Sequence, residues 1–147
     1  MPPMNVFSNC LALAGIVWLT AGVPISLVAQ DKPKAAASES KTRIEHVDPA
    51  GAAKLVTDKK VVVLDVRTPK EYETGHIAGA KNVDFNAADF EKKVAGLDRS
   101  KRYLVHCAAG GRSTKSLELF KKLNFSAVVH LDGGFRAWEK AGNAVEK

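Results

Sequence analysis

Val61-Val62-Val63-Leu64 is an unbroken apolar run ending at Asp65. It is shorter than a helix, rich in β-branched residues, and has none of the polar alternation of a half-exposed strand. A strand of this kind is buried on both faces, so layers must cover it from either side. Tyr103 to Val105 and Ala127 to Leu131 are two more apolar strands, each followed by a helix. Ile44 to Val47 forms a short strand, and Asp48-Pro49 opens a helix that runs to about Leu55 or Val56. Thr68-Pro69 opens a second, short helix, with Glu71 placed to complete a capping box and Gly75 to stop it. Ala80 to Val83 is a brief strand, and Phe85 to about Leu97 contains a helix with Phe90, Val94 and Leu97 on one face. Strands and helices alternating at these distances predict an α/β layered domain with a mostly parallel sheet.

The folded part occupies residues 44–147. Residues 1–30 carry no charged side chain, and Cys10 to Ala29 is almost wholly apolar. This segment reads as an export signal cleaved near Ala29 or Gln30, with a retained membrane anchor as the alternative. Residues 31–43, rich in Ala, Ser and Lys, form a flexible linker. Export places the domain in the periplasm or outside the cell, and contact with a membrane runs only through an uncleaved N-terminus. Cleavage also leaves Cys107 as the single cysteine, which rules out an internal disulfide. The net charge of +6 is spread along the chain. A nucleic-acid face needs a concentrated basic stripe with interleaved aromatics, so nucleic acid is not an expected partner.

The chemistry concentrates in Cys107-Ala108-Ala109-Gly110-Gly111-Arg112-Ser113, between the strand at Tyr103–Val105 and a helix carrying Leu117, Phe120 and Leu123. Backbone N–H groups at a strand-to-helix loop point at its centre, and the helix dipole adds partial positive charge. Gly110 and Gly111 allow the backbone to curl. Arg112 adds a full charge at the rim. These features favour Cys107 as a thiolate.

This loop resembles that of the rhodanese-like sulfurtransferases in single-domain form. The resemblance extends from about Ile44 to Gly142: Leu64-Asp65-Val66-Arg67 with Glu71-Tyr72, Gly75 to Ala80 with Asn82, the loop Cys107 to Arg112, and Leu131 to Phe135 with Trp138. It implies a three-layer fold with a five-stranded, mainly parallel sheet and helices on both faces. It also implies a persulfide on Cys107, cradled by the backbone N–H groups of Ala108, Ala109, Gly110, Gly111 and Arg112, with the Ser113 hydroxyl as an added donor. The donor would be thiosulfate or another sulfane-sulfur compound, and the acceptor a thiol, cyanide or a partner protein. Neither a metal nor an organic cofactor is required.

Two rivals define the test. Phosphate or arsenate handling is one: cysteine-dependent phosphatases use a similar loop with five residues between Cys and Arg, whereas four stand here, enclosing a smaller ring. A non-catalytic binding module on the same fold would have no use for the complete loop.

Arg112 has two roles open to it, orienting an anionic donor or holding the loop through an ion pair. Asp65 and Arg67 are supporting residues, with Asp65 bracing loop backbone and Arg67 pairing with Glu71. Tyr72, Phe135 and Trp138 read as core. His76 is a hydrogen-bonded turn residue, and His106 need not touch the sulfur, because strand neighbours face opposite ways. Asp132 caps the last helix. His46 and His130 make no metal set with the other histidines and Cys107, since no short-spaced ligand pair exists.

Overall fold

The structure, a computed structural model, describes residues 41–147. The expected signal or anchor and most of the linker lie outside the described residues. Among the described residues no helix is long and apolar enough to cross a membrane.

Five strands form one sheet: β1 (Arg43–Val47), β2 (Val62–Asp65), β4 (Lys81–Asn82), β5 (Arg102–His106) and β6 (Ala127–Leu131). Their order is β1-β6-β5-β2-β4 and every pairing is parallel. The predicted parallel α/β sheet is therefore present, with β5 at its centre. A short antiparallel pair, β3 (His76–Ile77) with β7 (Val145–Glu146), lies outside it and was not expected from the sequence.

Helices α1 (Pro49–Thr57), α2 (Pro69–Thr74), α3 (Phe90–Ala95), α4 (Gly111–Lys122) and α5 (Gly134–Lys140) supply the covering layers. One face of the sheet buries Val66, Val105 and Val128 against Phe90, Val94, Leu117 and Phe120 from α3 and α4. The other buries Val63, Leu104 and Val129 against Ala52, Phe135 and Trp138 from α1 and α5. Fully buried side chains such as Phe120 and Leu104 each stabilise the domain by about 2–3 kcal/mol.

The helix starts follow the sequence. Asp48 accepts the Gly51 N–H at 2.7 Å with Pro49 behind it. Thr68 and Glu71 close a reciprocal capping box on α2. The helix expected between Phe85 and Leu97 is shorter, Phe90–Ala95. Asp84 explains the difference: its carboxylate accepts the Asn86 N–H at 2.8 Å and its carbonyl the Ala87 N–H at 3.2 Å. That local turn competes with helix over the preceding residues. Asp132 does not cap α5; Gly133 holds the cap position and no side chain donates or accepts there.

Candidate active site

Cys107 follows the last residue of β5, at the carboxyl edge of the sheet where open α/β sheets place their ligands. The loop after it turns through Gly110, whose φ of +101° is closed to most side chains. That turn aims the Gly110 N–H at the Cys107 Sγ, 3.1 Å away. Gly111 has no such role: it is the first residue of α4, its φ is not positive, and a Cβ there would meet open space. Only one of the two glycines is needed for the curl.

The sulfur is nearly enclosed, with Cys107 2% exposed. Burial pushes its thiol up. Hydrogen bonds from the Ser113 hydroxyl and from the backbone N–H groups of Ser113, Ala109 and Gly110 outweigh burial and hold it below its ordinary value. The Ser113 Oγ stands 3.5 Å from Sγ. By helix geometry the N–H groups of Gly111 and Arg112 have no acceptor within α4, so the helix start keeps donors for an anion above the sulfur. Ala108 serves the loop through its carbonyl, which accepts the Arg136 N–H at 3.0 Å.

The turn between β6 and α5 forms the other wall. Phe135 N–H donates to the Cys107 carbonyl at 2.7 Å. Gly134, at φ +61°, permits this approach, since a Cβ there would lie 2.4 Å from that same carbonyl oxygen.

Of the two roles open to Arg112, the structure realises the ion pair. Its guanidinium grips Glu71 with two bonds of 2.8 and 2.7 Å. The same carboxylate caps α2, so one side chain ties the loop to the neighbouring helix. Arg112 holds the Glu71 carboxyl down to about 2, against burial and with help from Thr68. Glu71 in turn raises Arg112, which also faces Cys107.

The expected Arg67–Glu71 pair does not form. Arg67 pairs with Asp65 two residues earlier, at 2.6 Å, with side chains 5% and 0% exposed. Asp65 also accepts the Arg67 backbone N–H at 2.9 Å, so its bracing role holds. The Arg67 guanidinium lies 3.9 Å over the Phe135 ring and donates to the Gly75 carbonyl at 2.7 Å. These residues hold the neighbouring strand end and make no contact with the sulfur.

Tyr72 is half-buried, and Phe135 and Trp138 are buried. His76 is hydrogen-bonded as expected, with Nδ1 3.1 Å from the Tyr72 carbonyl, though it sits in β3 and stacks on Tyr72. His106 packs on the opposite face from Cys107, against Phe135. Desolvation lowers it to about 4, in spite of Asp65.

His46 and His130, separate in the sequence, are register partners on β1 and β6. Asp132 lies two residues beyond His130 on the same face, and its Oδ1 sits 3.0 Å from Nδ1 of each ring. The three side chains bring one nitrogen or oxygen atom each to within 4.8 Å of one another. Sequence spacing hid this group because parallel strand pairing creates it; the His130-x-Asp132 period of two was the available signal. A groove of about 550 Å³ beside α1 and Trp138 has no lining residue from the Cys107 loop.

The comparisons agree with this architecture. The family model for the rhodanese-like domain matches residues 48–141. The chain is 33% identical over 114 residues to "Probable adenylyltransferase/sulfurtransferase MoeZ" of Mycobacterium tuberculosis, a match covering 78% of this chain and 28% of that protein. It is 36% identical over 89 residues to thiosulfate sulfurtransferase 16 of Arabidopsis thaliana, covering 54% of this chain and 74% of that one. The crystal structure of a rhodanese-related protein from Thermoplasma volcanium superposes with a TM-score of 0.63 at 31% identity, covering 69% of this chain and 97% of the other. By its motifs, its fold and the extent of these matches, the chain belongs to the rhodanese-like domain family.

Proposed function

We propose that the domain is a sulfurtransferase that carries sulfane sulfur as a persulfide on Cys107. One observation carries this reading: a buried thiol held toward thiolate by inward-pointing N–H groups, beneath a helix start with donors to spare. The thiolate attacks the outer sulfur of thiosulfate or a related donor. A sulfur–sulfur bond forms at Sγ, the donor's own sulfur–sulfur bond breaks, and sulfite leaves with the electron pair. A thiol, cyanide or a partner protein's thiolate then takes the outer sulfur, and Sγ departs as thiolate. The negative charge stays at the loop centre throughout, where fixed dipoles stabilise it without reorganising.

The name of the Arabidopsis relative supports thiosulfate as donor class. The four-residue ring and the engagement of Arg112 with Glu71 weigh against a phosphatase, which needs its arginine for the oxyanion. Intact mass of the protein after thiosulfate, and again after cyanide, tests the cycle. A gain of one sulfur atom that cyanide removes, absent in Cys107→Ser, is expected. No gain on a reduced, reactive Cys107 would sink the thiosulfate reading.

A further inference from the structure

Behind Cys107 and Ser113, the same side of the sheet carries further polar groups, His130, Asp132 and His46, that the sulfur-transfer steps do not use. Cys107 Sγ stands 3.5 Å from Ser113 Oγ, and Ser113 Oγ stands 2.9 Å from His130 Nε2. His130 Nδ1 is 3.0 Å from Asp132 Oδ1, which His46 Nδ1 also meets at 3.0 Å from the solvent side. Ser113 is fully buried and His130 is 4% exposed, whereas the His46 and Asp132 side chains are about half exposed. The line therefore runs from the enclosed sulfur to water.

Counting protons shows what it can do. The Ser113 hydroxyl has one proton and three acceptors within reach: Sγ, His130 Nε2 and the Gly110 carbonyl at 2.9 Å. The carbonyl is the weakest competitor, because it already accepts the Thr114 N–H and the Thr114 hydroxyl, each at 2.9 Å, whereas that hydroxyl stands farther, 3.3 Å, from His130 Nε2. The hydroxyl proton is left to be shared between sulfur and imidazole.

We propose that Ser113, His130 and Asp132 form a proton relay that ionises Cys107. In the thiol form, S–H donates to Ser113 Oγ while the Ser113 hydroxyl donates to His130 Nε2. Both protons move one place along. The S–H and O–H bonds break, and new O–H and Nε2–H bonds form. Sulfur becomes thiolate, serine keeps a hydroxyl that now points at it, and the imidazolium is held by Asp132. No electrons are exchanged and no co-reactant is needed. Asp132 suits this role: the hydrogen bonds from His46 and His130 keep its carboxyl below the usual range. The other charged group facing Cys107 is Arg112, with Glu71 behind it. His130 and Asp132 are positioning and proton-holding residues that do not touch the transferred sulfur, which is bonded to Cys107.

The relay rests on reading Cys107 as a reactive thiolate, yet its test needs no sulfur donor. The rate of Cys107 alkylation by iodoacetamide is followed against pH in the full chain, with EDTA present, for the parent protein and three variants. Ser113→Ala removes the carrier. His130→Gln keeps an amide able to hydrogen-bond the serine but unable to take its proton. Asp132→Asn, at the half-exposed end, tests the line with little risk to folding.

Ser113→Ala and His130→Gln are expected to move the alkylation midpoint upward, slowing reaction about tenfold below pH 7. The double variant should be no slower than the worse single one, and Asp132→Asn should shift the midpoint less. An unmoved midpoint in folded His130→Gln, or in both Ser113→Ala and Asp132→Asn, would overturn the relay. A domain that alkylates as described but takes no sulfur from thiosulfate would leave the relay standing and remove only that donor.

Discussion

Two buried imidazoles lie on opposite faces of the sheet near its carboxyl edge, and they are treated in opposite ways. His130, on the Cys107 face, has partners for both ring nitrogens in Asp132 and Ser113. His106, next to Cys107 but on the other face, leaves Nε2 without a hydrogen-bond partner among the described residues. The nearest carboxylate oxygen, Asp65 Oδ2, is 3.8 Å from it, but Arg67 already occupies both Asp65 oxygens. One face thus arranges polar groups in a line to the surface. The other closes its charges on themselves and keeps its histidine neutral. Burial alone does not make a residue reactive; the order in which its neighbours donate and accept does.

The largest way to break the closed face is Asp65→Ala, which strands the Arg67 guanidinium inside the domain. A loss of about 3–5 kcal/mol in urea unfolding is expected. A change below about 1 kcal/mol would mean that the pair is not buried as described.

The open face should be affected less by the loss of its surface clamp. Glu71→Gln should cost about 1 kcal/mol, since both partners are partly exposed. Its pH signature sharpens the point. The folded carboxyl of Glu71 lies at about 2 against an ordinary 4.5, so the pair contributes fully above pH 4.5 and its contribution fades as pH falls toward 2. Unfolding measured across that window should be less steep in Glu71→Gln than in the parent.

The smallest effect belongs to His106→Leu. At pH 8 the neutral ring is replaced by an apolar side chain, and stability should change by less than about 1 kcal/mol. Between pH 6.5 and about 4 the unfolded parent binds a proton that the folded ring resists, so parent stability declines as pH falls. The leucine variant should lack that part of the slope, and an identical slope would contradict a neutral His106.

What could be read from the residues alone follows the range of the interactions. The Asp48 and Thr68 caps, the apolar strands and the loop with its cysteine are local in the chain, and each carries its own pattern. Glu71 was legible as a cap but not as the partner of Arg112, because a bond between α2 and α4 depends on where the sheet sets them. A strand-end charge near the core needs a partner, and the sequence offers Arg67 both Glu71 in the next helix and Asp65; the fold selects Asp65. His46 and His130 became neighbours only when β1 lay down beside β6.

The Gly134 turn makes the surroundings of Cys107 depend on a distant part of the chain. Phe135 and Arg136 latch the carbonyls of Cys107 and Ala108, and they follow them in the chain by the whole of α4 and β6. A chain still being made presents Cys107 with neither latch nor line of partners. Its sulfur is then an ordinary thiol. The fixed surroundings of Cys107 therefore require everything from the loop through the start of α5, and no shorter stretch of chain supplies them.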